Sequence, residues 1–265
     1  MLVKCNNVYP KVGGVFLNYH GVRLPPLTIR LKYRQGVIPS FSKGTGVLVD
    51  STNNIWDLTY ENNDWNNLLK NHSDLIKILE ANTTGVTNMN LMFYDCSSLT
   101  SVPLFDTSNV TNMDQMFRNC STITSIPLFD TSKVTNMQYM FRNCGSLTSV
   151  PLFDTSKVTN MNFMFNGCES LTSVPLFDTS NVIYFAWMFE DCESLTSIPL
   201  FDTSKVTNMN YMFNGCANVE SGALALYQQA ASKTTVPNHV YTFRNCGSNT
   251  TTGAAELAQI PGDWK

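Results

Sequence analysis

A unit of 24 residues, written about six times in succession, dominates the middle of the chain. The pair Met-Phe recurs in phase with this unit, and the string PLFDTS begins at Pro103 and returns in every following unit through Pro199. A cysteine also returns every 24 residues, at Cys96, Cys120, Cys144, Cys168, Cys192 and Cys216. A unit this short cannot bury its own apolar face, so the fixed period predicts stacked repeats that bury it against one another.

Each unit contains two different patterns. The first pattern has the i, i+3, i+4, i+7 spacing of one helical face, which is occupied by Met113, Met116, Phe117 and Cys120. Residues 123–128 then change to an extended pattern, and Pro127 within it excludes a helix. We therefore expect an α/β repeat solenoid whose coils each hold a short helix and a short strand. Strands stack about 4.8 Å apart and helices about 10 Å apart, so the stack should bend with its strands on the concave side.

The unit V-T-N-M-x-x-M-F-x-x-C-x-x-L-T-S-[VI]-P-L-F-D-T-S closely resembles the BspA-like leucine-rich repeats of bacterial adhesins and mycoplasma lipoproteins, over about residues 83–220. The flanks VIPSFSKGTGVLVDSTNNIWDLTY, GALALYQQ and GAAELAQIPGDWK look like the ends of repeat proteins of bacteriophages and prophages of gut bacteria. The resemblance implies a leucine-rich-repeat-like, right-handed coil that serves recognition or support.

The pattern divides the chain into four parts. Residues 1–48 read as a β-rich anchoring or docking segment, 49–82 as an N-terminal cap, 83–220 as the solenoid and 221–265 as a C-terminal cap. In the first segment Ile29, Leu31 and Tyr33 alternate with cations in a strand that spans residues 28–34, and residues 12–22 and 46–49 would join it.

Both ends are expected to form caps, because an open solenoid exposes apolar surface at its termini. The residue patterns of both segments predict that these caps are mainly helical. At the first end two short helices are expected, Asp64–Leu69 and Ser73–Leu79, the second with Leu75, Ile76 and Leu79 facing inward. At the other end, Ser221 should cap a helix that runs through Ala230. Residues 240–246 should add a half coil, and residues 254–260 a last helical turn or two.

Three polar rows admit a structural and a functional interpretation. The cysteines have no close C-x-x-C partners, so we expect buried thiols, with metal binding and disulfides as the alternatives. The second row consists of the aspartates of the D-T-S turns, Asp106, Asp130, Asp154, Asp178 and Asp202. The turn sequence favours a structural role for them, and a calcium ladder is the alternative. An amide ladder that satisfies backbone groups is expected from Asn88, Asn112, Asn136, Asn160 and Asn208.

Binding sites should lie where the repeats differ. Two residues after the first Met of each stripe, four successive units carry Tyr139, Phe163, Trp187 and Tyr211. The fifth unit also replaces V-T-N-M with residues 182–185, which include Tyr184. Contiguous exposed apolar surface usually marks an interaction site. We therefore expect a partner or self-association interface centred on Tyr184 and Trp187, with packing inside the chain as the alternative.

The charge is unevenly distributed along the 265 residues. The first 50 residues carry a net charge of +6, the remainder carries −9, and only 14% of all residues are charged. A basic strand face formed by Arg30, Lys32 and Arg34 is a candidate docking face for an acidic partner; a solvated face is the alternative. Nucleic-acid binding is not expected, because only this segment is basic.

Catalysis is not expected, and neither is a cofactor. The three histidines, His20, His72 and His239, are scattered, and no nucleophile or phosphate-binding signature accompanies them. No signal-peptide-like apolar run or membrane-spanning stretch is present. These features, together with the flanks, favour a bacteriophage virion component. It would assemble in the host cytoplasm and contact other virion proteins, further copies of itself, or a host surface protein or glycan. The alternative is a bacterial cell-surface adhesin of the BspA-like type.

Overall fold

The computed structural model describes residues 27–265, which form a small antiparallel sheet, a repeat solenoid and a helical end. The sheet contains β1 (Thr28–Tyr33), β2 (Thr45–Asp50), β3 (Ile55–Thr59) and β4 (Leu75–Ala81). After the solenoid come α1 (Ala223–Ala231), α2 (Thr251–Gln259) and a 3-10 turn (Gly262–Trp264). The strand expected over residues 12–22 lies outside the described residues.

The strands follow the order β2-β3-β1-β4, and every neighbouring pair is antiparallel. The expected boundary between residues 48 and 49 falls inside β2, and β1 pairs with both β3 and β4. The helix expected at Ser73–Leu79 is wrong, because this segment is β4. Its two β-branched isoleucines suit the strand that completes the sheet beside β1. Leu75 is buried as expected, whereas Ile76 and Leu79 are only half-buried.

The helix expected in each coil is also wrong. The stripe residues Met113 and Phe117 are fully buried as the spacing predicts, but residues 83–220 contain no helix. The Gln115 backbone has a φ of 56° and that of Asn119 a φ of 63°, and this left-handed conformation interrupts a helix. The amide of Met116 bonds to the Met113 carbonyl, whereas the Gln115 amide bonds to Gln138 in the next coil. Backbone amides therefore alternate between their own coil and the neighbouring one.

The short strand expected in each coil is wrong for residues 123–128, which form no strand. Isolated parallel bridges instead join a different position of the coils, for example Asn88 to Asn112 and Asn112 to Asn136. The proline at position 127 has no N–H, so this stretch cannot form a continuous ladder. Residues 83–220 contain no helix, so the helix spacing from which a bend was expected does not apply to these coils.

Rows of identical side chains form the solenoid core. Phenylalanines from successive coils stack with ring centroids 5.2–5.9 Å apart, in the row Phe93, Phe117, Phe141, Phe165, Phe189, Phe213 and Phe243. Beside them the thiol of Cys120 donates to the Phe93 carbonyl at 3.1 Å, and the cysteines of the other coils repeat this bond. The cysteines of this row are free and buried, so they act as core residues, and burial raises the pKa of their thiols.

The stacking begins before residue 83. The amides of Trp65, Asn67 and Leu69 bond to carbonyls of residues 88, 90 and 92 in the following coil. The helix expected over Asp64–Leu69 is therefore wrong, since this segment forms a coil built from turns. At Asn67 the backbone has a φ of 60°, as at the equivalent position of later coils.

The C-terminal end follows the expectation more closely. Residues 240–246 repeat half a coil and place Phe243 on Phe213. Helix α1 begins after Gly222, whose φ is 99°, so Ser221 is not its N-cap as expected. The carboxylate of Glu256 in α2 accepts hydrogen bonds from the amides of Gly222 and Leu224 instead. The indole of Trp264 lies against Tyr227, His239 and Phe243 at this end of the core.

Candidate interaction surface

The four aromatic residues singled out by the sequence form one stacked row, which we call the aromatic row. Ring centroids are 4.6 Å apart between Tyr139 and Phe163, 4.7 Å between Phe163 and Trp187, and 5.4 Å between Trp187 and Tyr211. The rings are nearly parallel and half-buried. They cover one another's faces and leave their edges toward solvent.

Tyr241 extends the row and was missed in the sequence. Its ring meets that of Tyr211 at 5.4 Å in an edge-on arrangement, and 38% of the residue is exposed. The residue lies 30 positions after Tyr211, because the segment that contains α1 lengthens this last interval. Its position two residues before Phe243 is the signal that identifies it, since Tyr211 precedes Phe213 in the same way.

The backbone beneath the aromatic row is strained. Tyr139, Phe163, Trp187 and Tyr211 have φ values of 56–58°, a left-handed conformation that is unfavourable for a bulky residue. It costs roughly 1–2 kcal/mol per residue. A second left-handed position in each coil carries the residues that tolerate it: Asp95, Asn119, Asn143, Gly167, Asp191 and Gly215. Backbone geometry therefore does not explain why the first position is aromatic in four successive coils.

Arginines and amides border the aromatic row. The Arg142 guanidinium carbon lies 5.7 Å from the Tyr139 ring centroid and 5.3 Å from that of Phe163, and Arg118 lies 5.3 Å from Tyr139. Farther along, Arg142 donates to the Asn166 side chain, which in turn donates to the Glu190 carboxylate. Burial raises the pKa of Glu190. A polar border thus runs parallel to the aromatic row.

Tyr184 stands apart from the stacked rings. It occupies the position at which neighbouring coils carry Asn160 and Asn208, and its backbone bridges both of these residues. The asparagines accept the amide of the residue two positions later, as Asn160 does from Asn162. Tyrosine cannot make this turn contact, and 43% of Tyr184 is exposed. The fifth coil therefore exchanges a local turn contact for an exposed ring.

Comparison with known proteins gives the family. The DUF285 family, described as "Mycoplasma protein of unknown function", matches residues 56–151, 123–227 and 146–248, which is more than half of the chain. The chain belongs to the DUF285 family. It is a BspA-like leucine-rich-repeat protein, as the repeat unit predicted. A comparison with curated proteins finds no match.

Among solved structures, this BspA-like protein is similar to a leucine-rich repeat protein from Eubacterium ventriosum. The two chains are 20% identical, the TM-score is 0.42, and the match covers 68% of this chain and 42% of the other. The matched part thus spans less than half of that protein's length.

The basic docking face expected on β1 is wrong for Arg30. This residue of the BspA-like protein is buried, and its guanidinium binds both carboxylate oxygens of Asp57, at 2.7 and 2.8 Å, and Glu80 at 3.4 Å. Because β1 is a central strand, Arg30 lies opposite Asp57 of β3 and Glu80 of β4, and its guanidinium pairs with their carboxylates instead of facing solvent. Lys32 is half-buried; Arg34 is exposed and bonds to Asp74 and Ser98.

The aspartate row forms the structural turns that were expected. Asp130 Oδ1 accepts bonds from the Ser132 amide at 3.0 Å and the Ser132 hydroxyl at 2.7 Å. These bonds lower the pKa of Asp130, although the residue is exposed. Within residues 27–265 no group of three or more His, Cys, Asp or Glu residues is placed to hold a metal ion. In the same range no helix is long and apolar enough to cross a bilayer.

Proposed function

We propose that this chain is a non-catalytic binding protein of the bacterial cell surface, which contacts a partner protein through the aromatic row and Tyr184. In this proposal each 24-residue unit forms one coil of a right-handed solenoid. Hydrogen bonds and ring stacking between residues 24 positions apart support that arrangement. The solenoid holds the row rigid, and the binding energy comes from its exposed edge.

The observation that best supports this proposal is the half-exposed row of Tyr, Phe and Trp, which lies on a left-handed backbone and is bordered by arginine. Tyrosine, tryptophan and arginine are the residues that most often dominate binding energy at protein interfaces. The left-handed backbone at this position recurs in coils that carry leucine or glutamine there, so the strain belongs to the fold, whereas the choice of four successive aromatic residues does not follow from it. The unusual residue choice therefore favours binding over packing as the reason for the row.

A protein partner suits the row better than a glycan. Sugars bind aromatic residues mainly across the ring face, whereas Phe163 and Trp187 have neighbouring rings on both faces. Ring edges carry partial positive charge and suit edge-to-face contact with another aromatic side chain. The arginine border adds donors for carboxylates or backbone carbonyls.

Binding without catalysis accords with the side chains that the solenoid presents. An active site gathers one set of unlike groups, whereas this surface repeats the same groups along its length. Burial raises the pKa of the cysteine thiols, which keeps them protonated and unreactive.

The cell surface is the proposed location because BspA-like proteins are bacterial surface proteins. Placement in a virion, the first expectation from the flanks, gains no support from the family match, so the cell-surface adhesin is the better-supported interpretation. Antibody labelling of intact cells of the encoding bacterium tests the location. Labelling of intact cells supports the surface, and signal found only in purified phage particles contradicts it.

A double variant tests the aromatic row. Phe163→Asn with Trp187→Asn removes two rings and supplies residues that tolerate the left-handed backbone, so the fold should persist. We expect fluorescently labelled wild-type protein to bind cultured cells of the host that carries the encoding bacterium saturably, and the double variant to bind at least about tenfold more weakly. Lys133→Asn with Lys157→Asn, on another face, serves as the control and should bind like wild type.

Pretreatment of the cells identifies the class of partner. Protease treatment should abolish binding of the wild-type protein, and glycosidase treatment should leave it unchanged. Equal binding by wild type and the double variant would rule out the aromatic row as the contact surface.

A further inference from the structure

A second apolar row runs along a different face of the solenoid. It consists of one leucine per coil, each 52–60% exposed: Leu104, Leu128, Leu152, Leu176 and Leu200. The phenylalanine that follows each leucine is buried in the core. We call these five residues the leucine row.

Packing inside the chain does not account for the leucine row. A residue that is more than half exposed contributes little to the core, and a polar residue would serve equally well at such a position. Prolines that are half-buried precede the leucines, as Pro127 precedes Leu128, and widen the apolar strip. Five leucines in line form a contiguous apolar surface, which is typical of a contact site.

Different polar rows flank the two sides of the strip. Exposed serines, such as Ser125 and Ser149, lie three residues before the leucines on one side of the strip. Exposed aspartates, such as Asp130 and Asp154, lie two residues after the leucines on the other side. Each of these aspartates uses Oδ1 to accept two bonds from its own turn. No bond to their Oδ2 atoms forms among residues 27–265. One side of the leucine row therefore presents hydroxyls, and the other presents carboxylate acceptors.

We infer that the leucine row binds the leucine row of a second copy of this chain, with the two-fold axis parallel to the solenoid axis. Rotation about such an axis keeps both solenoids running in the same direction and exchanges the left and right flanks. The aspartates of one protomer then face the serines of its partner. Each leucine meets the same leucine of the other copy, as an isologous interface requires.

Charge decides between the two possible two-fold arrangements. In the antiparallel arrangement the flanks are not exchanged, so the aspartate row of one protomer faces the aspartate row of the other. Like charges in an interface are strongly unfavourable, whereas a serine hydroxyl can donate to a carboxylate. The flanking residues therefore favour the parallel arrangement.

Light scattering over a series of concentrations tests the dimer. We expect wild-type protein to reach a mass of twice 29.6 kDa, and Leu152→Glu to raise the dissociation constant at least about tenfold. Gly145→Glu is the matched control. It adds the same charge to the same coil at a position with open space, where later coils carry Glu169 and Glu193. This control should dimerise like wild type, and so should Trp187→Asn in the aromatic row.

Cysteine cross-linking tests the direction of pairing. In a Cys5→Ser background, Leu104→Cys should form a disulfide-linked dimer with itself under mild oxidation. Antiparallel copies would instead link Leu104→Cys only to Leu200→Cys. A wild-type protein that stays monomeric, a dimer that Leu152→Glu leaves intact, or linkage only between residues 104 and 200 would overturn the inference. A monomer that binds a leucine-striped helical peptide through this row would overturn it as well.

Discussion

At the residue scale, two left-handed positions in every coil are filled by different kinds of side chain. The position before the cysteine carries Asp, Asn or Gly, which accept this backbone at low cost. From Leu91 to Tyr241 the other position carries leucine, glutamine or an aromatic ring, with φ values of 54–58°. The second choice is locally unfavourable, and the solenoid compensates for it with bonds between coils.

A substitution at Leu91 measures this strain. Leu91→Asn supplies a residue that tolerates a φ of 56°, and Leu91→Ala removes the same side-chain contacts without relieving the backbone. We expect the free energy of unfolding of the Asn variant to exceed that of the Ala variant by about 1 kcal/mol. Urea denaturation of both variants gives the difference. Equal stabilities would show that the left-handed backbone carries no strain.

His72 makes the N-terminal sheet sensitive to pH. Its ring stacks on Phe41 and its Nδ1 faces the Tyr33 hydroxyl, and burial lowers the pKa of this histidine below 6.5. The unfolded chain therefore takes up a proton more readily than the folded one as the pH falls below about 6.5. The stability supplied by neutral His72 should be present above that pH and should decrease below it.

Comparison with His72→Gln isolates this effect from the titration of carboxylates. We expect the difference in unfolding free energy between wild type and the variant to shrink as the pH is lowered from 7.5 to 5, as followed by urea denaturation. A difference that is independent of pH would contradict the role given to His72.

Residue burial was largely predictable from the sequence, whereas backbone conformation was not. The spacing of Met113, Met116 and Phe117 predicted burial correctly, because a regular apolar period marks an inward face in any repeat. The same spacing predicted a helix wrongly, since glutamine at position 115 gives no sign of a left-handed conformation. The exposure of the leucine row could have been inferred from its alternation with buried Phe residues in PLF.

At the element scale, the coil is a set of turns tied to its neighbours rather than a helix and a strand. Each described helix, α1 and α2, has nine residues, and residues 83–220 contain none. We therefore expect a far-ultraviolet circular dichroism spectrum with a helix fraction well under the third that is typical of globular proteins. A strong helical signal at 222 nm would contradict coils built from turns.

The start of α1 depends on a side chain from another helix. Its N-cap, Gly222, has no side-chain cap, and Glu256 from α2 accepts the amides of Gly222 and Leu224. Glu256→Ala should lower the free energy of unfolding by about 1 kcal/mol, as is usual for a lost helix cap. Glu256→Gln, which keeps one acceptor oxygen, should lose less. Chemical denaturation measures both, and equal effects would assign the role to packing.

The elements at the two ends differ in how far the sequence predicted them. The strand β1 was expected from strict alternation, and the half coil at residues 240–246 from the repeated Phe and Cys. In contrast, β4 was taken for a helix because its leucines and isoleucines also fit a helical spacing. The deciding factor was pairing with β1, which involves residues more than 40 positions away. The same pairing buried Arg30, which local alternation had placed at the surface.

At the scale of the whole molecule, the coils should behave as nearly independent additions to a stack. In such proteins stability is approximately a sum over repeats and their interfaces. Deletion of residues 145–168, which removes 24 residues in phase, should leave a cooperatively folded protein of lower stability. Deletion of residues 145–164 shifts the remaining repeats out of phase and should abolish cooperative unfolding. Thermal denaturation distinguishes the two, and equal behaviour of the two deletions would contradict stacking in phase.

Disulfide formation between neighbouring coils tests the stacking itself. The Thr159 amide bonds to the Thr135 carbonyl at 3.1 Å, and both residues are exposed. In a Cys5→Ser background, Thr135→Cys with Thr159→Cys should form an intramolecular disulfide rapidly in the folded protein, because adjacent hydrogen-bonded backbones lie within disulfide reach. Thr111→Cys with Thr159→Cys, two coils apart, should not. Failure of the first pair to close, or equal closure of both pairs, would contradict a solenoid in which residues 24 positions apart are neighbours.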